Sequence, residues 1–266
     1  MRASGAAHQC RVGPFRMPEG DTIRQLAGQL HELVGGRSVT GARPVRFERL
    51  TGRTLETVEP VGKHLLMRFS GGWSLHSHLR MRGSWHVYRT GERWRRSSHL
   101  ARAVLEFGDR QAVLFGAPVV ELVRNPVESV GHLGPDILAD SFQLDTVVAR
   151  ARALGPAALG DLLLDQRICC GIGNVYKCET LWQLALNPWR SSADLSDEQL
   201  AELFATARRD MRSNLSAVAD RRFGGKAGAV HGRQGRPCPR CGVRVRARRQ
   251  GEHARLTYWC PGCQGN

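Results

Sequence analysis

The sequence predicts an α+β multidomain chain: an N-terminal β-sandwich accompanied by a helix, a helical C-terminal domain, and a terminal four-cysteine zinc finger. Three observations carry this. Ile23, Leu26, Ala27, Leu30, Leu33 and Val34 recur at helical spacing. Between Arg37 and about Pro126 the pattern changes to short β runs broken by glycine turns. Near the end, Cys238-Pro-Arg-Cys241 and Cys260-Pro-Gly-Cys263 are separated by eighteen residues. Two C-x2-C pairs at that separation make a tetrahedral all-thiolate site for one structural Zn2+.

Residues 1–16 show no periodicity and read as a disordered leader or an upstream segment included by the choice of start site. The domain expected at 17–130 opens on Pro18, Glu19 and Asp21, acids that suit the positive end of a helix dipole. Gly35-Gly36 ends that helix. Val61–Phe69 and Trp73–Tyr88 flank the turn Ser70-Gly71-Gly72, and Ala101–Phe107 and Ala112–Phe115 flank Gly108-Asp109-Arg110. Successive hairpins of this kind build a sandwich or barrel-like domain.

A linker is expected over 131–145, then a helical domain over 146–232. Its first element is broken by Gly171-Ile172-Gly173-Asn174 and resumes from Val175 to Leu186. Ser196-Asp197-Glu198-Gln199 is a capping box that opens the next helix. Residues 233–266 form the finger, whose two cysteine pairs bracket about the length of a β-hairpin. All four coordination positions are filled, so the metal holds structure and does no chemistry. Cys169, Cys170 and Cys178 lack ligand spacing and read as small apolar residues in or near helices.

Composition bounds the function. The formal net charge is +15, and three lysines (Lys63, Lys177, Lys226) stand against 36 arginines. Such an excess favours nucleic acid or another anionic surface. Eight arginines crowd the finger from Arg233 to Arg255, opposed by Glu252 alone, which suits a phosphate backbone. Disulfide pairing of the cysteines would need an oxidising compartment. The first residues hold no apolar run for a signal peptide, and no stretch of about 18 apolar residues suggests a membrane span. A cytoplasmic or nucleoid location and no membrane partner are therefore expected.

Single motifs here are weak, since a lone lysine on a strand or an asparagine at a helix start is common in any protein. Together and in order they resemble the formamidopyrimidine-DNA glycosylase/endonuclease VIII family of base-excision repair enzymes. The resemblance rests on Pro18-Glu19-Gly20-Asp21-Thr22, on Gly62-Lys63-His64-Leu65-Leu66 placed on a strand, and on His78-Leu79-Arg80-Met81-Arg82-Gly83. It continues through Gly171-Ile172-Gly173-Asn174-Val175-Tyr176 to Arg255-Leu256-Thr257-Tyr258-Trp259-Cys260. The Pro-Glu-Gly-Asp-Thr opening is similar to the endonuclease VIII branch, which favours oxidised pyrimidines.

The resemblance implies that the helical domain is a helix–two-turn–helix module and that the partner is damaged double-stranded DNA, bound by a monomer. It implies that Pro18, as a free N-terminal secondary amine, attacks the sugar C1′, and that Glu19 transfers protons. Lys63, Asn174 and Arg255 would grip phosphates, which positions the strand without reading it. Met81, helped by Leu79 and Arg80, would fill the gap left by an everted nucleotide. Glu179 falls where the family carries a helix carboxylate near the active site, with a structural role as the competing reading. The Pro18 chemistry requires the working chain to begin after Met17, because an amide nitrogen has no lone pair to give. The alternatives are a non-catalytic damaged-DNA-binding protein on the same scaffold, should Pro18 stay within the chain, or a glycosylase preferring oxidised purines.

Overall fold

The computed structural model describes residues 18–216 and 228–265. The leader expected at 1–16, and part of the basic glycine-rich stretch after Arg221, lie outside the described residues. The chain divides into two compact units, one holding Pro18 and Thr22–Gly131, the other Glu19–Asp21 and everything from His132 onward. The second unit thus includes the first turn of the N-terminal helix.

In the first unit, α1 (Gly20–Val34) buries Ile23, Leu26, Ala27, Leu30 and Val34 along one stripe. Eight strands follow: β1 (Gly41–Arg43), β2 (Leu55–Val61), β3 (His64–Phe69), β4 (Trp73–His78), β5 (Ser84–Arg89), β6 (Ala101–Glu106), β7 (Arg110–Phe115) and β8 (Val119–Val123). They form two four-stranded antiparallel sheets, ordered β1-β6-β7-β5 and β2-β3-β4-β8. Leu65, Met67, Phe69 and Leu75 of one sheet share a core with Trp85, Leu105, Ala112 and Leu114 of the other and with the α1 stripe. Alternation along each strand sends every second side chain inward, so the period-2 pattern becomes a sandwich.

Two expected runs differ from what forms. The run Val61–Phe69 is cut by a two-residue turn, Gly62-Lys63, that joins β2 to β3 with Val61 paired to His64. Gly62 sits at φ 57, a left-handed value such a tight hairpin turn requires and glycine adopts freely. Lys63 therefore stands at a hairpin tip and not on a strand. The run Trp73–Tyr88 is likewise two strands, split by a turn over residues 79–83 that Gly83 N–H closes on Leu79 O at 2.8 Å. A short α2 (Val127–Val130) ends this unit.

The second unit packs α3 (Leu144–Ala153), α4 (Leu159–Leu164), α5 (Asn174–Gln183) and α6 (Asp197–Ser216) around Val147, Leu162, Leu163, Tyr176, Leu203, Phe204 and Met211. Ile137 and Leu138, from the stretch expected to be a linker, belong to that core. The capping box forms as expected: Gln199 N–H donates to Ser196 Oγ at 3.3 Å, and Ser196 N–H to Gln199 Oε1 at 2.9 Å. Cys169, Cys170 and Cys178 are buried. The chain closes with the hairpin β9 (Arg246–Gln250) and β10 (Arg255–Trp259) and the single turn α7 (Pro261–Gln264). Among the described residues no helix is long and apolar enough to cross a membrane.

Candidate active site

Glu19 is 3% exposed, and its carboxylate sits over the start of α5. Val175 N–H donates to Oε1 at 2.8 Å and Gly173 N–H to Oε2 at 3.1 Å. These are orphan donors of a helix N-terminus, where partial positive charge favours an anion. The fit depends on Gly173: a Cβ there would lie 2.3 Å from Glu19 Cδ. Gly20 is pinned beside it, donating its N–H to Gly171 O at 2.9 Å. Pro18, immediately before Glu19, is buried.

A second lock holds the same turn. Tyr176 Oη donates to Asp21 Oδ2 at 2.6 Å, and Asn214 Nδ2 donates to both groups. Burial, and then the Asp21 charge, push the Tyr176 phenol above its ordinary range, so it stays a protonated donor. Sequence reasoning gives Tyr176 and Asn214 no part in the site. Their partner Asp21 lies 155 and 193 residues away along the chain, and nothing local signals the contact.

The phosphate-gripping candidates fall in both units. Asn174 is the first residue of α5, 6% exposed, with Nδ2 donating to Leu256 O of β10 at 2.9 Å. Its buried Oδ1 has no partner among the described residues. Arg255 opens β10 opposite Gln250, at the turn end of the finger hairpin. Lys177, equally silent in the sequence, is fully buried and donates to Thr257 Oγ1 at 2.6 Å, so α5 and the hairpin share a polar seam. Thr257 passes the chain on to Gln250 Oε1 at 2.8 Å. Burial lowers the Lys177 pKa from its usual value.

In the first unit, Met81 stands 54% exposed at the β4–β5 turn. Arg80 beside it lies in the left-handed region at φ 49, its N–H donating to His78 Nδ1 at 3.1 Å. A non-glycine residue there costs on the order of 1–3 kcal/mol and persists where surroundings fix it. Leu79 is fully buried in the sandwich core. It anchors the turn and cannot share the gap-filling role expected of it. Glu179 takes the structural reading: its buried carboxylate accepts from Ala229, Val230 and His231 N–H at 2.7, 3.1 and 2.7 Å. Burial nevertheless raises its pKa.

The four finger cysteines converge, with all Sγ atoms within 4.8 Å of one another. Cys238 and Cys263 Sγ are 3.9 Å apart, Cys241 and Cys260 Sγ 3.3 Å. Tetrahedral zinc with bonds of about 2.3 Å sets its sulfurs about 3.8 Å apart, so the spacing fits. Trp182 Nε1–H and Arg240 N–H point at Cys238 Sγ, at 3.3 and 3.4 Å, as donors to a thiolate would.

A sandwich whose helix opens on Pro18-Glu19, an asparagine-led helix and four converging cysteines flanking a terminal hairpin define a class of DNA glycosylases. Comparison with known proteins gives the same answer. Residues 17–118 match the formamidopyrimidine-DNA glycosylase N-terminal domain and residues 133–221 the formamidopyrimidine-DNA glycosylase H2TH domain. A Streptomyces coelicolor relative named "Probable endonuclease 8 2" is 44% identical, over 93% of this chain and 94% of its own. The Mycolicibacterium smegmatis "DNA-(apurinic or apyrimidinic site) lyase Nei2" is 34% identical, over 93% and 99%. The fold is also that of MutM in complex with carbocyclic 8-oxo-G containing DNA: TM-score 0.80, 21% identity, 94% of this chain and 100% of the other. The chain belongs to the formamidopyrimidine-DNA glycosylase/endonuclease VIII family.

Proposed function

We propose that this protein is a bifunctional DNA glycosylase and abasic-site lyase of base-excision repair, acting on oxidised bases in double-stranded DNA with pyrimidines favoured. The observation that carries it is the Glu19 carboxylate, held by the N–H groups of Gly173 and Val175 at the start of α5, on the residue that directly follows Pro18 in the chain. The relatives named endonuclease 8 and abasic-site lyase support the reaction class, and the Pro-Glu-Gly-Asp-Thr opening supports pyrimidines.

Pro18, as a free amine, gives its lone pair to the sugar C1′ while the bond from C1′ to the base breaks. The base leaves with that electron pair and takes up a proton, and Glu19 is the group placed to move protons at this step. The amine then loses its proton and the C1′–O4′ bond breaks, its electron pair staying on O4′, which takes up a proton. The resulting iminium needs no extra proton to stay cationic. It acts as an electron sink: loss of the C2′ proton expels the 3′ phosphate, and loss of the C4′ proton then expels the 5′ phosphate. Lys63, Asn174 and Arg255 hold flanking phosphates, and Met81 with Arg80 fills the vacated stack. A zinc ion on Cys238, Cys241, Cys260 and Cys263 supplies cross-linking of the finger and no reaction step.

The working form begins at Pro18. The N-terminal family match starting at residue 17 supports this, as does methionine directly before proline. A second reading rests on Pro18 being buried and peptide-bonded within the longer chain. That form binds damaged DNA without cutting it. Borohydride trapping on abasic-site DNA, with intact-mass analysis of the native N-terminus, separates them. A covalent adduct mapped to Pro18 is expected. Binding without an adduct, from native protein retaining residue 1, would establish the second reading.

A further inference from the structure

The turn that carries Met81 is braced by a segment to which the reaction assigns no part. Residues 90–100 join β5 to β6 and include Arg93-Trp94-Arg95-Arg96, a basic and aromatic strap. Three anchors hold it on the sheet β1-β6-β7-β5. Trp94 packs with Tyr88, Val104, Val113 and Phe115, its ring edge-on to Phe115 at 5.6 Å, and its Nε1–H donates to Gln111 Oε1 at 3.3 Å. Arg95 N–H donates to Tyr88 Oη at 3.2 Å. Arg96 lays its guanidinium 5.8 Å from the Phe115 ring centre and donates from Nη1 to two acceptors. One is Ser84 Oγ at 2.7 Å, the other Arg82 O at 3.2 Å.

Arg82 O is the far end of the Met81 turn, and it is fixed from two directions. A Cβ on Gly116 would lie 2.9 Å from it, so glycine there, at φ 62, lets the carbonyl pass close. Arg96 holds it from the strap. The Ser84 hydroxyl that takes the Arg96 bond is also 2.9 Å from His86 Nε2. Burial, then Arg96 and Arg95, lower the His86 pKa to about 4, so its ring stays neutral and can accept from Ser84. The Arg80 backbone at φ 49 needs such over-determination to persist.

We propose that Arg96 is a positioning residue for nucleotide eversion: by holding Arg82 O and Ser84 Oγ it keeps the Arg80–Met81–Arg82 turn in the form that presents Met81. The inference rests on the gap-filling role proposed for Met81. Arg96 itself need touch neither DNA nor the reacting atoms.

The test compares wild type, Arg96→Met and Arg96→Lys on abasic-site DNA, as duplex and as single strand, with 2-aminopurine beside the site in the duplex. A single strand has no stack to refill, so the turn matters only in the duplex. Arg96→Met is expected to slow the fluorescence rise and duplex cleavage about tenfold, the scale of a charged hydrogen-bonded pair, and to leave single-strand cleavage within about twofold. Arg96→Lys should recover part of the loss through Ser84 Oγ. Equal loss on both substrates would mark a merely structural role and overturn the proposal. So would a folded Arg96→Met protein with full duplex activity. Should Arg96→Met fail to fold, Ser84→Ala removes one acceptor alone and is expected to show the same duplex-only loss; full duplex activity there would overturn the proposal too. The wild type also separates the inference from its premise. A fluorescence rise without cleavage would remove the lyase reading and leave Arg96 testable by fluorescence. A rise unaltered by Met81→Ala would remove the Met81 assignment, and this inference with it.

Discussion

Glu19 has one role seen in its contacts and one proposed for the reaction. Its oxygens satisfy backbone donors at the start of α5, and the proposed reaction would have the same group move protons beside Pro18. The two roles predict different outcomes for Glu19→Gln. As a cap, glutamine loses charge and turns an NH2 toward a donor, which costs on the order of 1 kcal/mol of stability and leaves turnover by the folded protein intact. As a proton-transfer group, its replacement lowers base excision by at least about 100-fold. The larger loss is expected in single-turnover excision by protein beginning at Pro18; a rate within about fivefold of wild type would reduce Glu19 to a cap. Gly173→Ala tests the same placement from the other side. Its Cβ would occupy the carboxylate's position, so excision should fall together with the melting temperature. Pro18 and Glu19 were legible because they are adjacent in a short motif. Lys177 was not: a lysine after tyrosine in a helix reads as a solvated residue, and its burial is decided by Thr257, 80 residues away.

At the scale of elements, periodicity located the β3–β4 and β6–β7 hairpins but not β1, most of β2 or β8, nor where runs break. Val61–Phe69 and Trp73–Tyr88 each read as continuous because apolar residues persist across their turns, whereas a glycine at φ 57 and a closing bond from Gly83 N–H to Leu79 O divide them. Those hidden breaks are where Lys63 and Met81 stand. A functional side chain gains reach at a turn, and a turn of two to five residues leaves little trace in a pattern of period 2. The helices were more legible, since the capping box marks the start of α6 directly.

The β4 strand carries a further testable consequence of burial. Desolvation first, then the Arg80, Lys63 and His76 charges, lower the His78 pKa to about 4, and the His64 ring lies edge-on at 4.6 Å. An unfolded histidine titrates near 6.5. As pH falls below about 6.5 the unfolded chain binds a proton that folded His78 refuses until about 4. Its contribution to stability is thus fully present above pH 6.5 and is lost progressively toward pH 4. Denaturant unfolding at pH 7 and pH 5 should show this decline in the first unit. His78→Asn, which keeps an acceptor for Arg80 N–H and cannot titrate, should flatten it. A decline of unchanged steepness would assign the proton uptake to other groups.

For the whole molecule the dominant quantity is charge: +15, carried almost entirely by arginine. Arginine stays charged in any surroundings and binds phosphate through two parallel donors, so it suits a surface that positions DNA without reading it. Such binding releases counterions, and log K should fall steeply with log salt, each neutralised phosphate adding about −0.9 to the slope. Arg255→Ala should weaken binding to all sequences alike and make the slope shallower by about 1. The finger supplies a control of a different kind. Its hairpin is short, and a metal held by the four convergent cysteines, as proposed, would contribute directly to its folding. Cys238→Ser should therefore release bound zinc, measured by a chromogenic chelator, and unfold the finger. DNA affinity should fall by more than with Arg255→Ala, because Lys177 and Asn174 lose their hairpin partners and Trp182 loses Cys238 Sγ together. The β-sandwich, with its own core, should keep its native β-sheet circular dichroism in that variant. If zinc is lost while salt slope and affinity stay at wild-type values, the finger does not grip the backbone and the phosphate contacts must be sought among the arginines of the sandwich.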